Sequence, residues 1–225
     1  MAFGRFHETS EHCNRNARKM NYLAHMVVGH WVGVNDAEAL GNFIGDAVKG
    51  RDVEGMWGEE VGRGIRLHRS IDDVSDRCAA SVEARGILRG HCGKWSGVVW
   101  DVLVNHVLAK EFEALADGCG SLEAFVASQE ARLECLRGEM PERSRRFFDA
   151  MVAHGWLAGY RDGDTVKAVL EAMSLRRETA GPVARGWDAF VEEETRLTEC
   201  ARRLVLDMRA WGRDVNLVSL RQRHG

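Results

Sequence analysis

Val98-Val99-Trp100-Asp101-Val102-Leu103-Val104 is apolar at nearly every position. A segment that is apolar all round reads as a helix buried on every side. Its single charge, Asp101, sits where an unpaired carboxylate would cost several kcal/mol, so the expectation is that it is paired or bound to a metal. A second stretch, His68-Arg69-Ser70-Ile71-Asp72, sets an imidazole and a carboxylate four residues apart, on one face of a helix. His68, Asp72 and Asp76 make one polar stripe there, while Leu67, Ile71 and Val74 point into a core. Few stretches alternate apolar and polar residues, and only Pro141 and Pro182 interrupt the chain. The pattern predicts an all-α fold: one domain of about eight helices.

Working outward, the first helix is expected from about Asn21 to Trp31. Asn35-Asp36-Ala37-Glu38 has capping-box spacing and opens a helix ending at Lys49-Gly50. Gly55 to Gly62 reads as a glycine-rich link before a helix from about Gly64 to Arg77, and a shorter helix covers Ala79 to Leu88. The buried helix runs from Ser96 to about Leu115. Later helices start near Ser121, at Pro141 and at Asp164, and Gly181-Pro182 breaks the chain before a last long helix, Val183 to Trp211. Residues 1–19 lack periodicity and read as a disordered extension, 20–212 as the helical domain and 213–225 as a polar tail.

Composition narrows the function. The chain has 225 residues, 45% hydrophobic and 29% charged, within the range of ordinary globular proteins. A net charge of −3 gives no general attraction to nucleic acid or to an anionic membrane. No apolar run reaches 18 residues and no signal-peptide core precedes the helices, so the expected location is the cytoplasm. Cys13, Cys78, Cys92, Cys119, Cys135 and Cys200 include no C-x-x-C pair, which removes zinc-finger and thioredoxin readings and leaves free thiols.

The candidate ligands are His25, Asp46, His68, Asp72 and Asp101, with His30 and His106 close by in sequence. A His and Asp set without cysteine suits Mn²⁺, Mg²⁺, Fe²⁺ or Zn²⁺. Such ions lower the pKa of bound water and polarise phosphoryl oxygens, which points to hydrolysis of a phosphate ester. Each residue also has a structural explanation. His25 alone would be a hydrogen-bonded core histidine, Asp46 an arginine partner, and His68 with Asp72 a helix-surface pair worth a few tenths of a kcal/mol. Spacing by itself leaves the two readings evenly balanced. Lys49, Arg51, Arg63, Arg66 and Arg69 make up a basic patch, either a solvated face or the mouth of a site that docks an acidic partner. Arg69, beside His68, is the expected phosphate contact.

Several ordered motifs resemble the acyl carrier protein phosphodiesterases. They are Met20-Asn21-Tyr22-Leu23-Ala24-His25 with His30, then Gly41-Asn42-x-x-x-Asp46-x-Val48-Lys49-Gly50, then Gly64-Ile65-x-Leu67-His68-Arg69-x-Ile71-Asp72-x-x-x-Asp76. Asp101 with His106 follows, then Trp156-Leu157-x-x-Tyr160-Arg161-Asp162-x-Asp164, and Val169-Leu170-x-x-Met173-x-x-Arg176-Arg177. The resemblance implies an all-helical fold distantly related to the HD-domain phosphohydrolases and a divalent metal, Mn²⁺ first. It implies hydrolysis of the phosphodiester joining 4′-phosphopantetheine to a serine of holo-acyl carrier protein, in fatty-acid or polyketide metabolism. On this reading Asp46 is essential, Arg69 stabilises charge, and His106 or His30 protonates the leaving serine oxygen. Two departures stand out. Val27 occupies a position that is histidine in the family, and Asn105, which cannot carry charge, precedes His106 where relatives can place an acid. The competing readings are a phosphohydrolase acting on a nucleotide or other small phosphoester, and a non-catalytic helical binding module with a satisfied polar network.

Overall fold

The computed structural model describes residues 22–175 and 177–217. Among them there is no strand, and thirteen α-helices are linked by short 3₁₀ turns. They are α1 (Tyr22–Val32), α2 (Asp36–Ile44), α3 (Val53–Trp57), α4 (Glu59–Arg77), α5 (Ala79–Cys92), α6 (Ser96–Lys110) and α7 (Phe112–Leu115). They continue with α8 (Leu122–Cys135), α9 (Glu142–Ala153), α10 (Trp156–Gly159), α11 (Gly163–Ser174), α12 (Gly186–Glu192) and α13 (Glu194–Asp214). The all-α expectation holds, and the excess over eight helices comes from short pieces such as α3, α7, α10 and α12. The expected disordered extension at 1–19, most of the polar tail, and Arg176 lie outside the described residues.

The apolar helix is the centre of the molecule. From Val102 to Ala109 every residue of α6 is buried, because α1, α5, α11 and α13 pack around it. Asp101, just before that run, is half-buried and lines a pocket walled by Val27, Trp31, Val104 and Met208. The premise of a fully desolvated Asp101 is thus corrected: its carboxylate lines the pocket and stays partly exposed, while Val104 and Leu108, one and two turns on along the same face, are buried. No helix among the described residues is long and apolar enough to cross a membrane. The five cysteines among them are free.

Several glycines inside the helices are close-contact points rather than breakers, which moves the expected boundaries. The stretch from Gly55 to Gly62 narrows to a single break at Gly58, φ 81°, between α3 and α4, with Gly62 letting α4 pass against the backbone and side chain of Glu54 on α3. The strongest pairing in the fold, α2 on α4, runs through Gly41 and Gly64. A Cβ on Gly41 would overlap the Val61 carbonyl oxygen, and one on Gly64 the Glu38 carbonyl oxygen. Tertiary contact here outweighs the roughly 1 kcal/mol helix penalty of glycine. The capping box forms as expected, with Asn35 accepting from the Glu38 N–H and Glu38 accepting from the Asn35 N–H. Helix α2 nevertheless stops at Ile44 and tightens into a 3₁₀ turn, Gly45–Ala47, where Gly45 passes against the His68 ring.

Farther along, Asp162 rather than Asp164 caps α11, its carboxylate accepting from the Asp164 N–H. The expected single last helix is three elements, a 3₁₀ run Glu178–Arg185 that absorbs Pro182, then α12 and α13.

Candidate metal centre

The α2–α4 glycine contact fixes what lies above it. Helix α1 brings in His25, α2 Asn42, the 3₁₀ turn Asp46, and α4 both His68 and Asp72. His25 and His68 are 3% and 2% exposed. Their rings stack with centroids 4.2 Å apart and an interplanar angle of 29°. His25 Nε2 lies 3.3 Å from Asp72 Oδ1, and His68 Nε2 lies 3.3 Å from Asp46 Oδ1 and 3.6 Å from Asp72 Oδ2. One ligand atom each from His25, His68 and Asp72 falls within 4.8 Å of the others, the one such group of three among the described residues. Asp46 reaches His68 from the more exposed side, outside that group.

These residues fit a cation. Both Nε2 atoms are buried and neither makes a hydrogen bond among the described residues, although carboxylate oxygens stand 3.3 Å away. Buried polar atoms of this kind are rare unless an ion or water completes them. His68 Nδ1 is 2.8 Å from the Asn42 carbonyl oxygen, which can only accept, so the hydrogen of this ring sits on Nδ1. In its neutral form the ring turns the Nε2 lone pair toward Asp46 and Asp72, an arrangement that a positive ion would relieve. Two imidazoles with carboxylates is a donor set for Mn²⁺, Fe²⁺ or Zn²⁺; Mg²⁺ favours oxygen alone.

Protonation follows the same geometry. Burial lowers the His25 pKa, and the neighbouring His68 lowers it further against the pull of Asp72 and Asp46. The His68 pKa is raised: burial is the largest influence and opposes it, but Asp46, Asp72 and the Asn42 carbonyl together outweigh burial.

The remaining expected residues divide. Asp101 is not brought into the group of three; it lines the adjoining cavity with Ser75 and Asp76. Asp76, the third member of the stripe, is exposed and pairs with Arg85 of α5. His30 and His106 do not reach the cluster. Five residues on from His25, His30 comes out on another face of α1, exposed and edge-on to Phe125. His106 is a core histidine: Tyr160 O is 2.8 Å from its Nδ1, and the ring packs edge-on to Trp187 and Phe190.

The basic patch divides as well. Arg63 is held by Glu38 at 2.7 Å and Glu59 at 3.1 Å, and Arg66 is bidentate to Glu54. Arg69 Nη2 donates to the Val48 carbonyl at 3.2 Å, and among the described residues no carboxylate neutralises it. Burial, with Arg66 nearby, lowers its pKa. Lys49 and Arg51 are exposed and likewise make no ion pair among the described residues. Sequence reading passed over Asn42, whose side chain touches His25, and Gly45, whose missing Cβ makes room for the His68 ring.

Comparison with known proteins gives this arrangement its relatives. The family model for acyl carrier protein phosphodiesterase matches residues 20–208, most of the chain. This chain belongs to that family. It is 30% identical over 158 residues to the acyl carrier protein phosphodiesterase of Pectobacterium atrosepticum, covering 70% of this chain and 79% of the relative. It is 29% identical over 168 residues to those of Salmonella dublin and Salmonella newport, covering 75% of this chain and 84% of each. No solved structure matches.

Proposed function

We propose that this chain is a metal-dependent phosphodiesterase that hydrolyses the 4′-phosphopantetheine–serine phosphodiester of holo-acyl carrier protein, giving apo-carrier and free 4′-phosphopantetheine. Family membership supports the substrate. The observation that carries the chemistry is the pair of buried Nε2 atoms converging with Asp72 on one point. His25, His68 and Asp72 would hold a divalent ion, Mn²⁺ first with Fe²⁺ or Zn²⁺ next, in an HD-domain-like helical core. When bound, such an ion supplies water activation and polarisation of a phosphoryl oxygen.

Asp46, reaching His68 from the solvent side, is placed to orient the attacking water or to complete the ion's shell. The uncompensated guanidinium of Arg69 stands beside His68 and suits the charge that builds on the phosphoryl oxygens. Water adds to phosphorus as the P–O(Ser) bond breaks, and the serine oxygen departs with a proton. Neither His30 nor His106 is positioned to give that proton. Lys49 and Arg51 are the cations left over for an acidic carrier, whereas Arg63 and Arg66 are engaged with glutamates of this chain. The carrier would be met in the cytoplasm, with no nucleic acid or membrane involved.

The test is mass spectrometry of holo-acyl carrier protein incubated with this protein and Mn²⁺, with an EDTA control. Loss of the phosphopantetheine mass, blocked by EDTA, is expected. An unchanged mass with folded, Mn²⁺-loaded protein would move the substrate to another phosphoester, and absence of Mn²⁺ uptake would favour a binding module.

A further inference from the structure

The Asn42 side chain is 4% exposed and lies between α2 and α1. Its Nδ2 donates to the His25 carbonyl oxygen at 2.8 Å, and its Oδ1 lies 3.3 Å from His25 Nδ1. A carbonyl oxygen only accepts, so the amide has one orientation, NH₂ toward the backbone and Oδ1 toward the ring. Oδ1 only accepts as well, so His25 holds its hydrogen on Nδ1 and keeps a lone pair on Nε2. Through its backbone, the same residue imposes the same tautomer on His68, whose Nδ1 is 2.8 Å from the Asn42 carbonyl oxygen. We infer that Asn42 is the positioning residue of this centre, setting both histidines at once as Nε2 donors aimed at a single point. The consequence for metal affinity rests on the metal reading above; the tautomer assignment does not.

The residue type follows from the geometry. Leucine has a similar size but offers His25 Nδ1 no acceptor. Aspartate keeps the acceptor and loses the donor to the His25 carbonyl. The backbones are close enough for a short amide because α1 carries Gly29 opposite: a Cβ there would stand 3.2 Å from Asn42 Nδ2. Outer partners of metal-ligating histidines fix tautomer and ring orientation, and removing one typically weakens metal binding by about 10–100-fold.

The experiment compares full-length wild type, Asn42→Leu and Asn42→Asp by two readouts. One is the imidazole ¹⁵N spectrum of the EDTA-treated protein, which reports which ring nitrogen carries hydrogen. The other is the Mn²⁺ dissociation constant from the electron paramagnetic resonance of free Mn²⁺. In wild type, His25 should show the Nδ1–H form. Asn42→Leu should lose that preference and weaken Mn²⁺ binding by about 10–100-fold. Asn42→Asp should keep the Nδ1–H form and bind Mn²⁺ more tightly than Asn42→Leu does, a difference that a packing role would not produce. A folded Asn42→Leu protein with wild-type tautomer and wild-type Mn²⁺ affinity would overturn the inference. If Asn42→Leu does not fold, Asn42→Asp decides: loss of the Nδ1–H signal would overturn it and retention would support it. Wild type with Nδ1–H on His25 but no Mn²⁺ uptake would sink the metal reading and leave the positioning role standing. An Nε2–H form of His25 would end the positioning role whether or not Mn²⁺ binds.

Discussion

Two buried histidine sites in this molecule look alike in sequence and differ in what surrounds them. His106 lies in Asn105-His106-Val107-Leu108 and His25 in Ala24-His25-Met26-Val27, both on helices that are mostly apolar. His106 has its polar need met by the Tyr160 carbonyl and its faces covered by Trp187 and Phe190. At His25 and His68, Nδ1 faces Asn42 while Nε2 is buried against carboxylates without a hydrogen bond. A satisfied imidazole is structure; a pair of imidazoles with converging nitrogens that lack a hydrogen bond is a donor set a cation would suit.

The largest test of this contrast is His68→Ala or Asp72→Ala. A catalytic ion contributes several kcal/mol of transition-state stabilisation, so kcat/KM on holo-carrier should fall by about 10³-fold or more while helicity by circular dichroism is retained. Near-normal turnover in either folded variant would remove the centre. Asp101→Ala sharpens the boundary between the two regions. Because Asp101 lines the neighbouring cavity, its loss should weaken Mn²⁺ binding less than His68→Ala does. Equal loss in the two variants would extend the ion's shell to α6.

Gly64→Ala attacks the support of the centre. With the Glu38 carbonyl in the way, it should lower unfolding free energy by about 1–3 kcal/mol or more and weaken Mn²⁺ binding with it. A wild-type urea midpoint would show that α2 and α4 need no glycine contact.

His106→Leu should cost about 1–3 kcal/mol by removing the buried hydrogen bond from His106 Nδ1 to the Tyr160 carbonyl, with kcat/KM changed less than about threefold. A loss of orders of magnitude would restore His106 as a proton donor. The same variant reads out a pH effect. Burial, the largest influence, lowers the His106 pKa below the unfolded value, with Tyr160 opposing. The unfolded chain therefore takes up this proton first. The stability contributed by neutral His106 is full above the unfolded value near 6.5 and is lost as pH falls below it toward the depressed folded value. Melting temperature of EDTA-treated wild type should drop more between pH 7 and pH 5 than that of His106→Leu; equal slopes would refute the assignment.

The smallest effect is expected at the rim. Lys49→Glu with Arg51→Glu should raise KM for holo-carrier about twofold to fivefold at low salt with kcat intact, the scale of exposed charge pairs. Arg66→Glu should instead lower stability through Glu54. The reverse pattern would return the docking surface to α4.

By itself the sequence determined the fold class, the capping box at Asn35 and the His68–Asp72 face, since helical periodicity and i, i+4 spacing are local properties. It also placed α6 at the core from its apolar run. The tertiary structure alone decided which candidates meet. His25 and His68 are far apart in sequence and stack only because Gly41, Gly45 and Gly64 let α2 lie tightly on α4. It separated His30 and His106 from the centre, because rotation about a helix axis and the packing of a distant helix choose a residue's neighbours. It divided the arginines into spent and open charges, because Glu38 and Glu54 become partners of Arg63 and Arg66 only when α2, α3 and α4 come together. Which polar atoms are left unsatisfied is a property of the packed interior, and no spacing along the chain contains it.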